Sequence, residues 1–444
     1  MACLATRRQF PTARSEEPWA GNYFVAAYPP FSRWQPSQTD AVKEALREAG
    51  ADEPLGIYVH IPFCHKKCDY CYYLSYVGAG FGAVTQYVEN VIREMDLYGR
   101  CPAVRGRPIS FVYIGGGTPS TLSSYQARCL LVGLKRVLPW NGVKEVTWEC
   151  APRSVRREFL DNLRDLGVTR LSMGAQSFDN NLLKLNGRIH LMEDVLRAYG
   201  VIQQVGFDWI NLDLMVGLIG ETEESWRESI RRVIELSPDS VTIYQTEIPY
   251  NTQLYDDLKS GHLTAPPISW DVKRQRLDDA FCELEYAGYT VVNGYAAVKD
   301  PERHRLQYQE YLWRGGDMLG LGVASFSYFR GVHFQNQVTL ATYQAQVQQE
   351  CLPLNRAFRL THWDRLVREF ILQLKFGEVS AEAFRKKFSV DITKIFLEPL
   401  QTLAEEGFAT YSEAGVRLTR EGLLRVDRLL PRFYDPELRE VRYT

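Results

Sequence analysis

Between residues 56 and 250 the chain repeats one unit: a short apolar run, a loop with polar or glycine-rich residues, and an amphipathic helix. The apolar runs fall at 57–61, 109–114, 143–149, 168–173, 210–216 and 240–244. Helical periodicity occupies 84–98, 155–166, 191–204 and 223–236. Strands alternating with helices of this length build right-handed parallel βα units. Six such units predict an α/β fold, a partial (β/α)6 barrel. In parallel architectures ligands gather at the C-terminal ends of the strands. The distinctive residues fall there: Cys64 after the first run, glycines 115–117 after the second, Glu149 ending the third, Gln176 after the fourth and Asp213 within the fifth.

A chain of 444 residues exceeds one ordinary core. The reading divides it into an N-terminal arm (1–55), a barrel core (56–290), a barrel-closing extension (291–355) and a C-terminal helical, winged-helix-like domain (356–444). The arm opens polar and then turns aromatic through Tyr28-Pro29-Pro30-Phe31 and Trp34. A net charge of -2 gives no footing for nucleic acid or a membrane surface, and the C-terminal module lacks a concentrated basic face. No apolar run approaches the roughly 18 residues of a membrane span, and no secretory leader is expected. Nine cysteines, six of them scattered without motif spacing, point to a reducing cytoplasm.

The other three cysteines, Cys64, Cys68 and Cys71, form a C-x3-C-x2-C loop. Three thiolates suit one face of a [4Fe–4S] cluster and leave one iron open. A zinc site with His60 or His65 as fourth ligand, or three incidental thiols, are the alternatives.

This loop, with Tyr58-Val59-His60-Ile61-Pro62-Phe63 before it, resembles the cluster loop of the radical S-adenosylmethionine (SAM) superfamily. The similarity spans about residues 22–440. It points to the branch of oxygen-independent coproporphyrinogen III oxidase, its haem-chaperone relatives and the class C radical SAM methylases and cyclopropanases. The resemblance implies a [4Fe–4S] cluster on Cys64, Cys68 and Cys71, and SAM bound at the open iron and split to a 5′-deoxyadenosyl radical. Tyr58 and Tyr70 would contact SAM, and Gly116, Gly117 and Thr118 would run along its amino-acid end. Glu149 would meet its ammonium, Arg188 its carboxylate, and Gln176 and Asp213 its ribose. Phe326, in the segment Gly320-Leu321-Gly322 to Ser327, would help seat a second SAM. Tyr58 and Glu247, the latter a carboxylate at the barrel mouth, are the candidate catalytic residues.

Within the branch, coproporphyrinogen oxidases usually carry a further cysteine where this chain has Tyr73, and the haem chaperones His-Asn-x-x-Tyr-Trp where it reads Tyr308-Gln309-Glu310-Tyr311-Leu312-Trp313, without the His-Asn pair. By elimination the expectation is methyl or methylene transfer from a second SAM to an sp2 carbon of a small aromatic or alkene substrate. Oxidative decarboxylation of a porphyrinogen and haem chaperoning are the alternatives. A flavodoxin or ferredoxin would supply the electron.

Overall fold

The computed structural model describes residues 18–50, 53–138, 140–439 and 441. The polar opening of the arm lies outside them. Six parallel strands follow the predicted runs: β1 (Leu55–Ile61), β2 (Ile109–Gly116), β3 (Glu145–Cys150), β4 (Arg170–Gln176), β5 (Trp209–Val216) and β6 (Ser240–Gln245). β1 is buried at six of its seven positions, as expected for a strand covered on both faces. The helices start where the sequence offers caps; Ser123 and Gln126 form a capping box ahead of Ser124–Val137.

The extension adds strands to both edges of this sheet. They are β7 (Thr290–Val291), β8 (Ala296–Val298), β9 (Met318–Leu321), β10 (Phe326–Phe329), β11 (Val332–Asn336) and β12 (Leu354–Arg359). The twelve-stranded order is β12-β11-β10-β9-β1-β2-β3-β4-β5-β6-β8-β7. β9 pairs parallel with β1, and β8 antiparallel with β6. The expected boundary at 355/356 falls inside β12, which the sheet claims through its ladder to β11. Beyond it, helix His362–Leu374 packs with Ala381–Phe388, Leu397–Glu405 and a three-stranded antiparallel sheet. In its core Phe370 stacks on Phe396, and Phe433 meets both rings edge-on. Among the described residues no helix is long and apolar enough to cross a membrane.

Strand register gathers the site. Tyr58 stands beside Tyr113, Glu149 beside Ser172, and Asp213 between Gly174 and Thr242. β4 carries a register shift between Gly174 and Gln176, and Gln176 takes a left-handed φ of 65°. Such strain in a non-glycine residue persists where the surroundings fix it, often at functional sites.

Candidate active site

One cavity of about 1090 Å³ covers the C-terminal strand ends. The candidate ligand and catalytic residues line it: Cys64, Cys68, Cys71, Tyr58, Tyr70, Gly116, Gly117, Thr118, Glu149, Gln176, Arg188, Asp213, Glu247 and Phe326; Gly115 does not. Residues 423–428 line it too, so the C-terminal domain packs over the barrel mouth.

The three loop cysteines are partly buried free thiols. Thr118 Oγ1 donates to Cys64 Sγ at 3.4 Å, and Arg188 Nη1 to Cys68 Sγ at 3.1 Å. Burial pushes the Cys71 thiol up to about 11; metal binding would displace that proton. Among the described residues no three metal-ligating side chains converge on one point. His60 Nδ1 lies 3.2 Å from Tyr58 Oη, and its Nε2 lies 3.3 Å from Leu74 O. The zinc alternative thus has no formed site.

The strand ends form a cradle with open polar groups. Gly116 has φ 109°, and a Cβ there would strike the His60 ring; one at Gly117 would lie 2.8 Å from Ile61 O. Glycine is therefore required for the backbone to pass so close. Glu149 accepts hydrogen bonds from Tyr113 Oη at 2.6 Å and Gly116 N at 3.1 Å, and burial raises its pKa to about 7. Asp213 accepts from Ser172 Oγ at 3.0 Å and Asn211 Nδ2 at 2.8 Å; burial raises it to about 6. Gln176 Oε1 is buried without a partner. An orphaned polar atom is costly, so it marks where a polar ligand belongs. The donor set fits both a cluster and an amino acid–ribose ligand.

Two predicted residues have other engagements. Glu247 Oε1 accepts the backbone amides of Tyr23 at 3.0 Å and Phe24 at 2.7 Å, which ties the arm to the barrel. Phe326 packs on Phe31 at 4.4 Å and near Trp34 at 5.7 Å, so the arm covers much of its ring. Val25 N donates to Asp427 Oδ1 at 2.9 Å, tying the arm to the C-terminal domain as well.

Four residues escaped the sequence reading: Tyr113, Ser172, Asn211 and Arg356. Strand alternation places the first three on the faces of Tyr58 and Asp213, a signal available in the sequence. Arg356 gave none. Its Nε donates to Gln335 Oε1 at 2.8 Å and its Nη1 to Phe31 O at 2.9 Å at the cavity wall.

Comparison with known proteins accords with this geometry. The Radical SAM superfamily profile matches residues 58–233, and that of the HemN C-terminal domain matches 360–425. Oxygen-independent coproporphyrinogen III oxidase of Escherichia coli is 29% identical, over 94% of both chains. That of Salmonella typhimurium is 30% identical over 88% of this chain and 87% of its own. Heme chaperone HemW of Bacillus subtilis is 29% identical over 83% of this chain and 96% of its own. The structure of the Escherichia coli oxidase HemN, a radical SAM enzyme, superposes with a TM-score of 0.80 at 26% identity, covering 92% of this chain and 96% of that one. The fold and site define a radical SAM enzyme, whose family cofactors are a [4Fe–4S] cluster and SAM. Within that superfamily the chain belongs to the HemN-like branch.

Proposed function

We propose that this radical SAM enzyme removes carboxyl groups oxidatively, without oxygen, from a porphyrinogen-class ring. The expectation of methyl or methylene transfer gives way here, because the relatives similar over most of the chain are oxidases and HemW chaperones. The observation that carries the reading is Arg356. It faces a cavity larger than SAM alone requires, its guanidinium is oriented by two neutral acceptors, and no carboxylate pairs with it among the described residues. A guanidinium so held suits an incoming carboxylate.

When bound, the cluster and SAM supply a 5′-deoxyadenosyl radical, once a low-potential donor of the flavodoxin or ferredoxin kind has delivered an electron. Cys64, Cys68 and Cys71 hold the cluster. Arg188 and Glu149 take the charged ends of the SAM amino acid, and Gln176 and Asp213 its ribose. Tyr58, Tyr113 and Tyr308 stack beside this site, Tyr58 with Tyr113 at 6.0 Å and Tyr113 with Tyr308 at 5.2 Å, and keep water from it.

Tyr73 favours a second reading. It stands where such oxidases usually have a cysteine, and it stacks on Tyr72 at 4.6 Å at the cavity. Methyl transfer with a second SAM near Phe326 would use the same barrel. Anaerobic turnover with SAM and coproporphyrinogen III separates the two. Vinyl products with 5′-deoxyadenosine support decarboxylation; S-adenosylhomocysteine with an untouched ring overturns it.

A further inference from the structure

The interior of a parallel barrel is usually filled by layers of branched apolar side chains. Below Asp213 this one holds a run of polar groups instead. Glu145 and Arg170, each 2% exposed, form an ion pair at 2.8 Å near the N-terminal ends of β3 and β4. Arg170 Nη1 donates to Ser240 Oγ at 3.1 Å, and Ser240 Oγ donates to Asn211 Oδ1 at 2.8 Å. Asn211 Nδ2 donates to Asp213 Oδ1 at 2.8 Å and to Ser172 Oγ at 2.9 Å. Ser172 Oγ donates to Asp213 Oδ2 at 3.0 Å, and Thr242 Oγ1 supplies Asn211 Oδ1 with a second donor at 3.0 Å.

Each bond in the series runs the same way, from a cation that can only donate to a carboxylate that accepts. Asn211 has one consistent orientation, because its amide nitrogen must face the carboxylate and its oxygen the two hydroxyls. Bonds aligned head to tail polarise one another in a low-dielectric interior. Arg170, Ser240 and Asn211 do not line the main cavity; they border a small void of about 30 Å³ that shares Tyr113, Ser172, Asp213 and Tyr244 with it. The hydrogen-bonded series reaches the main cavity at Asp213 and Ser172, while Arg170 Nη2 separately donates to His304 O at 2.8 Å.

We propose that Arg170, Ser240 and Asn211 are positioning residues, a relay through the barrel that fixes the Asp213 carboxylate as an acceptor for two vicinal ligand hydroxyls. This rests on the reading that Asp213 faces the SAM ribose. The relay leaves the amino-acid end of the ligand to other residues, so its loss is felt at the ribose alone.

The test is a cycle between protein and ligand, read as affinity by equilibrium dialysis on the cluster-reconstituted full chain. The ligands are SAM and its 2′,3′-dideoxy analogue. Ser240→Ala is expected to weaken SAM about 10-fold while leaving the dideoxy analogue unchanged, and Ser240→Thr to restore SAM binding. Asn211→Leu, which removes the last member of the relay at similar side-chain volume, shifts SAM in the same direction and serves if Ser240→Ala fails to fold. Equal weakening of both ligands, or of neither, overturns the relay. Asp213→Asn tells the two failures apart: if it weakens SAM selectively while Ser240→Ala does not, only the relay falls. If it shows no selectivity for the hydroxyls, the ribose reading falls with it.

Discussion

Tyr113 donates its hydroxyl to Glu149 Oε1 at 2.6 Å, while Gly116 N holds the other carboxylate oxygen. The residue that would receive the SAM ammonium is thus aimed by a tyrosine on β2, the strand next to the one that leads into the cysteine loop.

This arrangement gives a pH signature. Burial holds Glu149 at about 7, and the Tyr113 bond works against that rise. Tyr113→Phe therefore raises the pKa further, leaving less carboxylate at neutral pH. SAM affinity should fall roughly 10-fold near pH 7, and the deficit should shrink as pH rises and the carboxyl ionises again. Binding isotherms from about pH 6 to 8.5 check this; a deficit independent of pH would speak against it.

Arg356 is the substrate-side prediction. Arg356→Met should raise the KM for a carboxylated porphyrinogen on the order of 10- to 100-fold, with a smaller change in kcat. Arg356→Lys should recover only part of it, because a point charge lacks the planar fork. The methyl ester of the same ring should be insensitive to the substitution.

Glu247 offers a choice between two roles. Glu247→Gln keeps an oxygen to accept the Tyr23 and Phe24 amides, whereas Glu247→Ala loses it. An arm anchor predicts near-normal turnover for Gln and, for Ala, faster proteolytic cutting within the arm together with lost turnover. An acid–base role would have Gln fail as fully as Ala.

Glu94 tests how the helix Phe81–Gly99 is joined to the strands β9 to β11. Its carboxylate is fully buried and accepts from Gly322 N at 2.8 Å, Tyr343 Oη at 2.7 Å and Asn336 Nδ2 at 2.6 Å. All three are donors, so the amide nitrogen of Glu94→Gln must face one of them. The variant should lose ~2 kcal/mol of stability in urea unfolding.

The strands and the cluster loop were legible because apolar runs and cysteine spacing are local signals. Glu149, Gln176 and Asp213 were legible as polar residues at the ends of apolar runs. Asn211 and Ser172 obey the same alternation but fall below the strand ends, where nothing in one strand shows that its polar residue meets another's. Arg356 and the Glu247–arm contact join segments hundreds of residues apart, and only the folded sheet brings them together. The reaction was harder to read than the cofactors, because the family's cofactor signature is a local strand-end motif. The rest of the cavity wall is built from the arm, β10 to β12 and residues 423–428, which no local motif marks.

The central claim is oxidative decarboxylation: a propionate that becomes a vinyl group gives up one β-hydrogen atom to the 5′-deoxyadenosyl radical, then carbon dioxide, and one electron to a one-electron acceptor. Coproporphyrinogen III deuterated at the β-carbons of its propionates, turned over anaerobically with SAM and reductant, tests it by mass spectrometry of the nucleoside products. The account predicts deuterium in 5′-deoxyadenosine, released together with carbon dioxide. Unlabelled 5′-deoxyadenosine accompanied by S-adenosylhomocysteine, with the propionates intact, would contradict it.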